Sequence, residues 1–331
     1  MSERDRSGRR ATLLLLASGA ASRPVAAQPS AGWRTSRPIR LVVGFPPGGF
    51  TDILARSLAP LLQAQLNQAV VVENRGGAAG IIGADLVAHA APDGATLLLG
   101  HSTANAIAAN LNQRLGYDPR TAFAPITLVA AQPHALLVNA ASPFASTEDL
   151  IAAARRAPAR LTYASSGVAS VQHVAGEMLS AASGIDVVHV PYRGTGPALA
   201  DLAGGQVDFV IDGLAAAAPL IAGGRIKALA VSTARRVARW PDLPTLNESG
   251  APGVEIRSWF GLLGPAGLPE PVVQSLYAAT LSALSSPEMR RLLEDSSAEA
   301  GGMPPSEFAS FIATEIARYR EVAARMRIAV E

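Results

Sequence analysis

Two stretches of the chain share one build: an apolar strand, a turn of Gly, Ser and Thr residues, and a helix start. Ile39–Val43 runs into Phe45-Pro46-Pro47-Gly48-Gly49-Phe50-Thr51-Asp52, with a helix expected from about Ile53. Far downstream, residues 161–164 run into Ser165-Ser166-Gly167-Val168-Ala169-Ser170 and a helix carrying His173. A helix start offers unpaired N–H groups and the positive end of the helix dipole. Glycine lets a ligand come close to that backbone, and one such cradle suits one anionic group. Two cradles far apart in sequence imply a clamp on a small anion, so binding is expected ahead of catalysis.

The first residues read as an address. Arg4, Arg6, Arg9 and Arg10 precede an apolar run at residues 11–21, and Val25-Ala26-Ala27 supplies small residues for cleavage before Gln28. Residues 1–27 are therefore expected to be a signal peptide leading to the periplasm. The Sec route is expected over the twin-arginine route that Arg9-Arg10 would permit. Five of the basic residues and two of the acids lie in this segment, so the full-length charge of +2 becomes −1 without it. The remainder carries no basic run to suggest nucleic acid or an anionic membrane.

Cysteine is absent, which rules out disulfides, thiol nucleophiles and thiolate metal sites. His89, His101, His134, His173 and His189 lack metal-ligand spacing, so no metal and no cofactor are expected. The spacing of Gly76, Gly77, Gly80 and Gly83 is not that of a dinucleotide fingerprint. A third helix start facing a cleft, around Ala79, is the better reading.

Strands and helices alternate, an α/β signature. Strands are expected at 39–43, 70–73, 96–100, 126–130, 135–138, 186–190, 207–211 and 227–232. Helices are expected at 51–66, 80–90, 146–157, 170–183, 197–203, 215–222, 271–285, 287–294 and 305–327. Residues 132–141 and 254–264 look like crossings between domains, and the last helices have no parallel sheet of their own. Domain 1 is thus expected to be discontinuous, 38–131 plus 260–331, with domain 2 at 132–259. Such a layout hinges around a ligand cleft.

Further motifs follow in order: Val72-Glu73-Asn74-Arg75-Gly76-Gly77-Ala78-Ala79-Gly80, Gly116-Tyr117-Asp118-Pro119, Leu161-Thr162-Tyr163-Ala164-Ser165-Ser166-Gly167, His189-Val190-Pro191-Tyr192-Arg193-Gly194-Thr195-Gly196-Pro197-Ala198, Gly204-Gly205-Gln206-Val207-Asp208 and Pro241-Asp242-Leu243-Pro244-Thr245. With the Phe45–Asp52 run they cover almost all the chain beyond the leader, which resembles the tripartite tricarboxylate transporter substrate-binding family, the Bug family of extracytoplasmic solute receptors. The resemblance implies an α/β, two-domain periplasmic binding protein of the type II, Venus-flytrap kind, with two hinge strands. It implies a monomer that holds a small carboxylate-type ligand by backbone amides, hydroxyls and water and delivers it to membrane permease subunits. Two positions depart from the family pattern. Phe50 stands where small residues are commoner, which would narrow the cleft or favour an apolar ligand body, and Ala169 replaces a frequent glycine in the second cradle, which would let that loop approach the ligand less closely.

The ligand-contacting candidates are Phe45, Gly48, Gly49, Phe50, Thr51, Ala79, Ser102, Thr103, Ser165, Ser166, Gly167, Ser170, His173, Arg193, Thr195 and Asp212. Asp52, an acid in a first helical turn, is read as structural. Ser102, Thr103 and Asn105 follow a strand end, where α/β folds place ligands, or form a solvated turn. Arg193 meets a ligand carboxylate or makes an interdomain ion pair, Thr195 is a possible cap, and Asp212 accepts from a ligand or caps the next helix. The main alternative is an exported serine hydrolase using Ser166 or Ser170 with His173 and Asp212, although no Gly-x-Ser-x-Gly elbow supports it. A ligand-sensing subunit of a membrane signalling system is the second.

Overall fold

The computed structural model describes Trp33, residues 35–111 and residues 115–324. The expected signal peptide lies outside these residues. Two sheets form the frame, and they share a strand.

The first sheet is built from β1 (Ile39–Val43), β2 (Val70–Asn74) and β3 (Thr96–His101), which pair in parallel with β1 in the middle. Their apolar runs suit a sheet covered on both faces. Helix α1 (Phe50–Leu66) makes the β1-to-β2 crossover, and α2 (Ile81–Ala88) the β2-to-β3 crossover. After β3 the chain makes a π-turn at Thr103–Ile107 and a short helix α3 (Ala108–Leu111).

Strand β4 (Phe123–Asn139) is 17 residues long. Residues 126–130 and 135–138, expected as two strands, are halves of it. No glycine interrupts the run; Pro125 stands at a register shift against the returning strand 257–265, and Pro133 where the chain passes from one set of partners to another.

The second sheet follows. Its elements are α4 (Thr147–Arg156), β5 (Thr162–Ser165), α5 (Val171–Ser183), β6 (Val188–Pro191), α6 (Thr195–Ala203), β7 (Phe209–Gly213), α7 (Leu214–Ala222) and β8 (Ile226–Val231). The far half of β4 lies antiparallel between β7 and β8, and β5 joins β7 to β6 in parallel. Helix α4 starts on a capping box in which Ser146 and Asp149 each bond the other's backbone N–H.

Strand β9 (Arg257–Pro265) returns to the first sheet, antiparallel between β3 and the near half of β4. Helices α8 (Glu270–Leu284), α9 (Pro287–Asp295) and α10 (Pro305–Ala324) then cover that sheet, with β10 (Glu299–Ala300) pairing on β4. The stripe Phe308, Ile312, Ile316 and Tyr319 on α10 is buried, with Trp259 edge-on to Phe308 at 5.8 Å. This is a two-domain α/β frame whose two connecting segments, in β4 and β9, run side by side. Among the described residues no helix is long and apolar enough to cross a membrane.

Candidate functional site

The candidate residues gather where the helix starts of both sheets face one another. On the first sheet, the turn after β1 is locked by Asp52. Its carboxylate takes the Gly48 N–H at 3.0 Å, the Asn74 side chain at 2.9 Å and Arg56 at 3.0 Å. Burial alone would push that carboxyl up, but these hydrogen bonds outweigh it and hold it below its ordinary range. Asp52 is thus structural, as expected. Gly49 is the N-cap of α1 and makes no side-chain cap bond, so no cap side chain occupies the first-turn N–H groups. A Cβ added at Gly48 or Gly49 would meet nothing within 4 Å, so the space above this turn is open. Thr51 is buried beneath it.

Phe50 is also buried, and its ring lies edge-on to Phe260 at 5.1 Å. His101 stands edge-on to both Phe260 and Phe45, at 5.1 and 5.0 Å. The ring of Phe50 therefore fills the core instead of narrowing the cleft. Its size is accommodated because Phe260 arrives on β9 from the far end of the chain. Ala79 lies in the left-handed region at φ 53°, within a loop whose neighbours Ala78 and Gly80 also have positive φ.

Ser102 and Thr103 do not form a solvated turn; both are buried, as is Asn105. The Asn105 side chain accepts the His101 N–H at 3.0 Å, and the His101 ring accepts the Thr103 N–H on Nδ1 at 3.1 Å. His101 Nε2 then meets Ser258 Oγ at 3.1 Å, and Ser258 Oγ meets His134 Nε2 at 2.8 Å. With Nδ1 accepting, neutral His101 carries its proton on Nε2 and donates to Ser258, whose hydroxyl donates on to His134. Ser258 sits on β9 and His134 on β4, so this chain spans the two connecting segments. Burial pushes His101 down to about 3, with nearby His134 adding to it. It pushes His134 down to about 4, opposed by the Ile211 carbonyl.

On the second sheet, the loop after β5 turns several expected contacts inward. The Ser165 hydroxyl is fully buried, bonded to Gly167 and to His189 Nε2 at 2.6 Å. Ser170 is the N-cap of α5, accepting the His173 N–H at 3.3 Å. Ala169 adopts φ 59°, a left-handed conformation that glycine takes more easily, and its N–H is accepted by His173 Nδ1 at 3.0 Å. The His173 and His189 rings stack at 3.7 Å. Burial lowers His173 to about 4, and burial plus its neighbour lowers His189 to about 3.

The hydrolase arrangement does not assemble. The Ser166 hydroxyl donates to Gln172 Oε1 at 2.8 Å, not to His173, and Asp212 bonds Gln172 and its own neighbour, not a histidine. Ser170 is consumed by its capping role. Gln172 is the residue that sequence reasoning passed over. Its amide donates to Asp212 Oδ1 at 2.9 Å and to Thr195 Oγ1 at 3.3 Å, tying together the starts of α5, α6 and α7. The only hint in sequence was a long polar side chain two places after a capping serine. Gly194 and Gly213 are the N-caps of α6 and α7 and make no side-chain cap bond. Thr195 is therefore not a cap, and its hydroxyl faces Gln172. Asp212 does not bond the first turn of α7; besides the Gln172 amide, Oδ1 takes the Gly213 N–H, at 2.7 Å. Burial raises its carboxyl to about 6 despite these bonds. Arg193 is exposed, and among the described residues no ion pair includes it.

The two sides touch. Thr103 Oγ1 accepts the Val171 N–H at 3.2 Å. A Cβ at Gly167 would stand 3.8 Å from Ala79 Cβ, and one at Gly194 would stand 4.0 Å from Pro46. Pro46, Ala79 and Thr103 on one side thus meet Gly194, Gly167 and Val171 on the other. Cavities of about 270 and 950 Å³ lie elsewhere, the larger lined by Arg235, Arg236, Arg239, Arg257 and Arg318.

Comparison with known proteins adds relatives to this geometry. The family described as the tripartite tricarboxylate transporter family receptor matches residues 54–327. Protein BugT of Bordetella pertussis is 35% identical over 312 residues, covering 92% of this chain and 94% of its own. A protein encoded in the tcbD-tcbE intergenic region of a Pseudomonas species is 37% identical over 294 residues, covering 88% and 87%. Among solved structures, MatC from Rhodopseudomonas palustris with bound malate has a TM-score of 0.82 at 35% identity, covering 87% of this chain and 99% of that one. Rpa4515 of R. palustris with adipate has a TM-score of 0.86 at 38% identity, covering 89% and 99%.

Proposed function

The chain belongs to the tripartite tricarboxylate transporter receptor family, and from that premise we propose that it is a periplasmic receptor which closes on a small organic carboxylate and hands it to a membrane permease of the same system. Its relatives are solute-binding receptors, not enzymes. The ligand lies between a first lobe, 38–131 plus 260–331, and a second, 132–259. Residues 1–27 direct export.

One observation carries this reading. Uncapped helix starts stand on both sides of a closed contact: Gly49 before α1, and Gly194 and Gly213 before α6 and α7. Each offers N–H groups and a positive dipole end to an anion, with no basic side chain committed to the task. Malate in MatC and adipate in Rpa4515 support a carboxylate as the occupant. Thr103 and Val171 hold the closed arrangement directly.

Thermal denaturation with a panel of mono- and dicarboxylates and their matched amides tests it. A cognate acid at about 100 times its Kd adds roughly 2.7 kcal/mol of stability. Acids should raise Tm far more than amides, and small-angle scattering should show compaction. Equal shifts from acid and amide, with no compaction, would overturn the reading.

A further inference from the structure

Away from the contact between the two sides, the cavity of about 270 Å³ lies between α10, the near end of β4 and the π-turn at Thr103–Ile107. Helix α10 lines it with Ala309, Ile312, Ala313 and Ile316, positions at i, i+3, i+4 and i+7 that share one face. Phe123 on β4 and Leu263 on β9 complete the apolar wall. The two alanines leave open the space that larger side chains would fill. An apolar cavity of roughly 150 Å³ takes up benzene, so this one has room for a six-membered ring with a substituent.

Among the described residues that line this cavity, Asn105 alone carries a buried side-chain atom without a partner. The residue comes from the π-turn and is 1% exposed. Its Oδ1 accepts the His101 N–H at 3.0 Å, which fixes the sense of the amide and leaves Nδ2 as the unpaired donor. Buried polar groups are nearly always paired, so Nδ2 calls for an acceptor. Arg120 also lines the cavity, but its guanidinium is paired with Asp118 at 3.2 Å and brings no surplus charge. Apolar walls, balanced charge and one amide donor fit an uncharged, mainly apolar molecule with a single acceptor.

The same side chain anchors the turn that bridges the two sides. Asn105 Oδ1 holds the His101 N–H, the His101 ring accepts the Thr103 N–H on Nδ1, and Thr103 Oγ1 accepts the Val171 N–H. We propose that this cavity is an effector site for a small uncharged molecule with an apolar body and a carbonyl-type acceptor for Asn105 Nδ2, and that its occupant favours the Thr103–Val171 bond. That this bond is one of cleft closure rests on the receptor reading above. With both ends of its amide bonded, Asn105 holds His101, and through it Thr103, in the arrangement that meets Val171. The coupling runs through three consecutive hydrogen bonds between buried groups, a contiguous path from the cavity to the other side.

The test is NMR titration of the isotope-labelled, purified protein with cyclohexanone, an uncharged ring with one acceptor and no anionic group for the helix-start cradles. Saturable shifts should appear at the backbone amides of Asn105, Ala309 and Ala313, and the Asn105 side-chain NH2 signal should move with them. Hydrogen exchange at the Val171 N–H should slow about three- to tenfold at saturation. Ala313 is exposed on α10, so Ala313→Leu should leave the fold intact while filling the space, and should weaken cyclohexanone about tenfold or more. No saturable shifts at these positions, shifts that survive Ala313→Leu, an Asn105 side-chain signal that stays in place, or unchanged exchange at Val171 would overturn the proposal; a water held on Nδ2 would produce the first of these. The carboxylate panel reports on the receptor reading separately. A protein that binds acids but not cyclohexanone loses only this inference, and one that shows the cyclohexanone shifts and Val171 protection but binds no acid loses only the receptor reading. Should Ala313→Leu fail to fold, the wild-type signals still decide.

Discussion

Thr103 Oγ1 accepts the backbone N–H of Val171 at 3.2 Å, joining the turn after β3 to the first residue of α5. The two residues belong to helices and turns on different sheets, so this bond exists only while the cleft is closed. Thr103→Val keeps the volume and removes the acceptor. Ligand affinity should fall about three- to tenfold, the worth of one neutral hydrogen bond. The ligand-free radius of gyration should rise. An unchanged radius and affinity would mean that closure does not depend on this bond.

Gly49 has φ −78° and ψ 166°, which valine adopts without strain, and a Cβ there meets nothing within 4 Å. Gly49→Val should therefore leave Tm within a degree or two while filling the space over the α1 start. Affinity for carboxylates should drop at least tenfold in titration calorimetry. If Tm holds and affinity holds too, the first cradle is not where the ligand sits.

Ser166 acts through Gln172, because its hydroxyl donates to that amide. Ser166→Ala should cost about 1 kcal/mol of binding, or roughly fivefold. Gln172→Leu removes the ties to Ser166, Thr195 and Asp212 together and should cost more, with a lower Tm as well. A larger loss from Ser166→Ala than from Gln172→Leu would assign the serine a direct ligand contact instead.

Acid should destabilise the protein. His101, His134, His173 and His189 have folded-state values of about 3 to 4 against an ordinary 6.5, so each stabilises above pH 6.5 and loses that contribution as pH falls toward 4. Asp212, raised to about 6, has the opposite sign, contributing below its ordinary 3.8 and losing this as pH rises through 6. Four groups outweigh one, so Tm should fall steadily from pH 7 to pH 4.5. A Tm at pH 4.5 equal to that at pH 7 would contradict neutral, buried histidines; a His101→Asn, His134→Gln double variant should flatten the slope.

Much of the fold was legible in the sequence because it rests on local signals. The strand–turn–helix units around Gly48 and Gly167 and the long helices announce themselves through apolar runs, Gly turns and caps. The site was less so. Ser165 and Ser170 sit in the right loop, but whether a hydroxyl faces outward or bonds His189 or His173 depends on residues from other elements. Phe50 looked like a cleft residue because its ring partner, Phe260, lies more than two hundred positions away. The π-turn at Thr103–Ile107 was missed for a related reason: it is stabilised by α10 and the Asn105–His101 bond, not by propensity. Gln172 gave almost no signal, since nothing in its neighbourhood shows that Asp212 and Thr195 converge on it.

Strand β4 belongs to both sheets, and this governs how the molecule is assembled in time. Its near half pairs with β9, Phe123 with Pro265 and Pro133 with Arg257, well over a hundred positions later in the chain. Until β9 emerges from the ribosome, that half is an unpaired edge, and the first sheet lacks the strand that stitches β3 to β4. Its completion waits on a pairing with a high loop-closure cost, which slows folding. The far half can find β7 and β8 earlier, so the second lobe is the one expected to nucleate first. Cutting the chain between the lobes would leave each fragment with half of β4 exposed, a sticky edge rather than an independent domain.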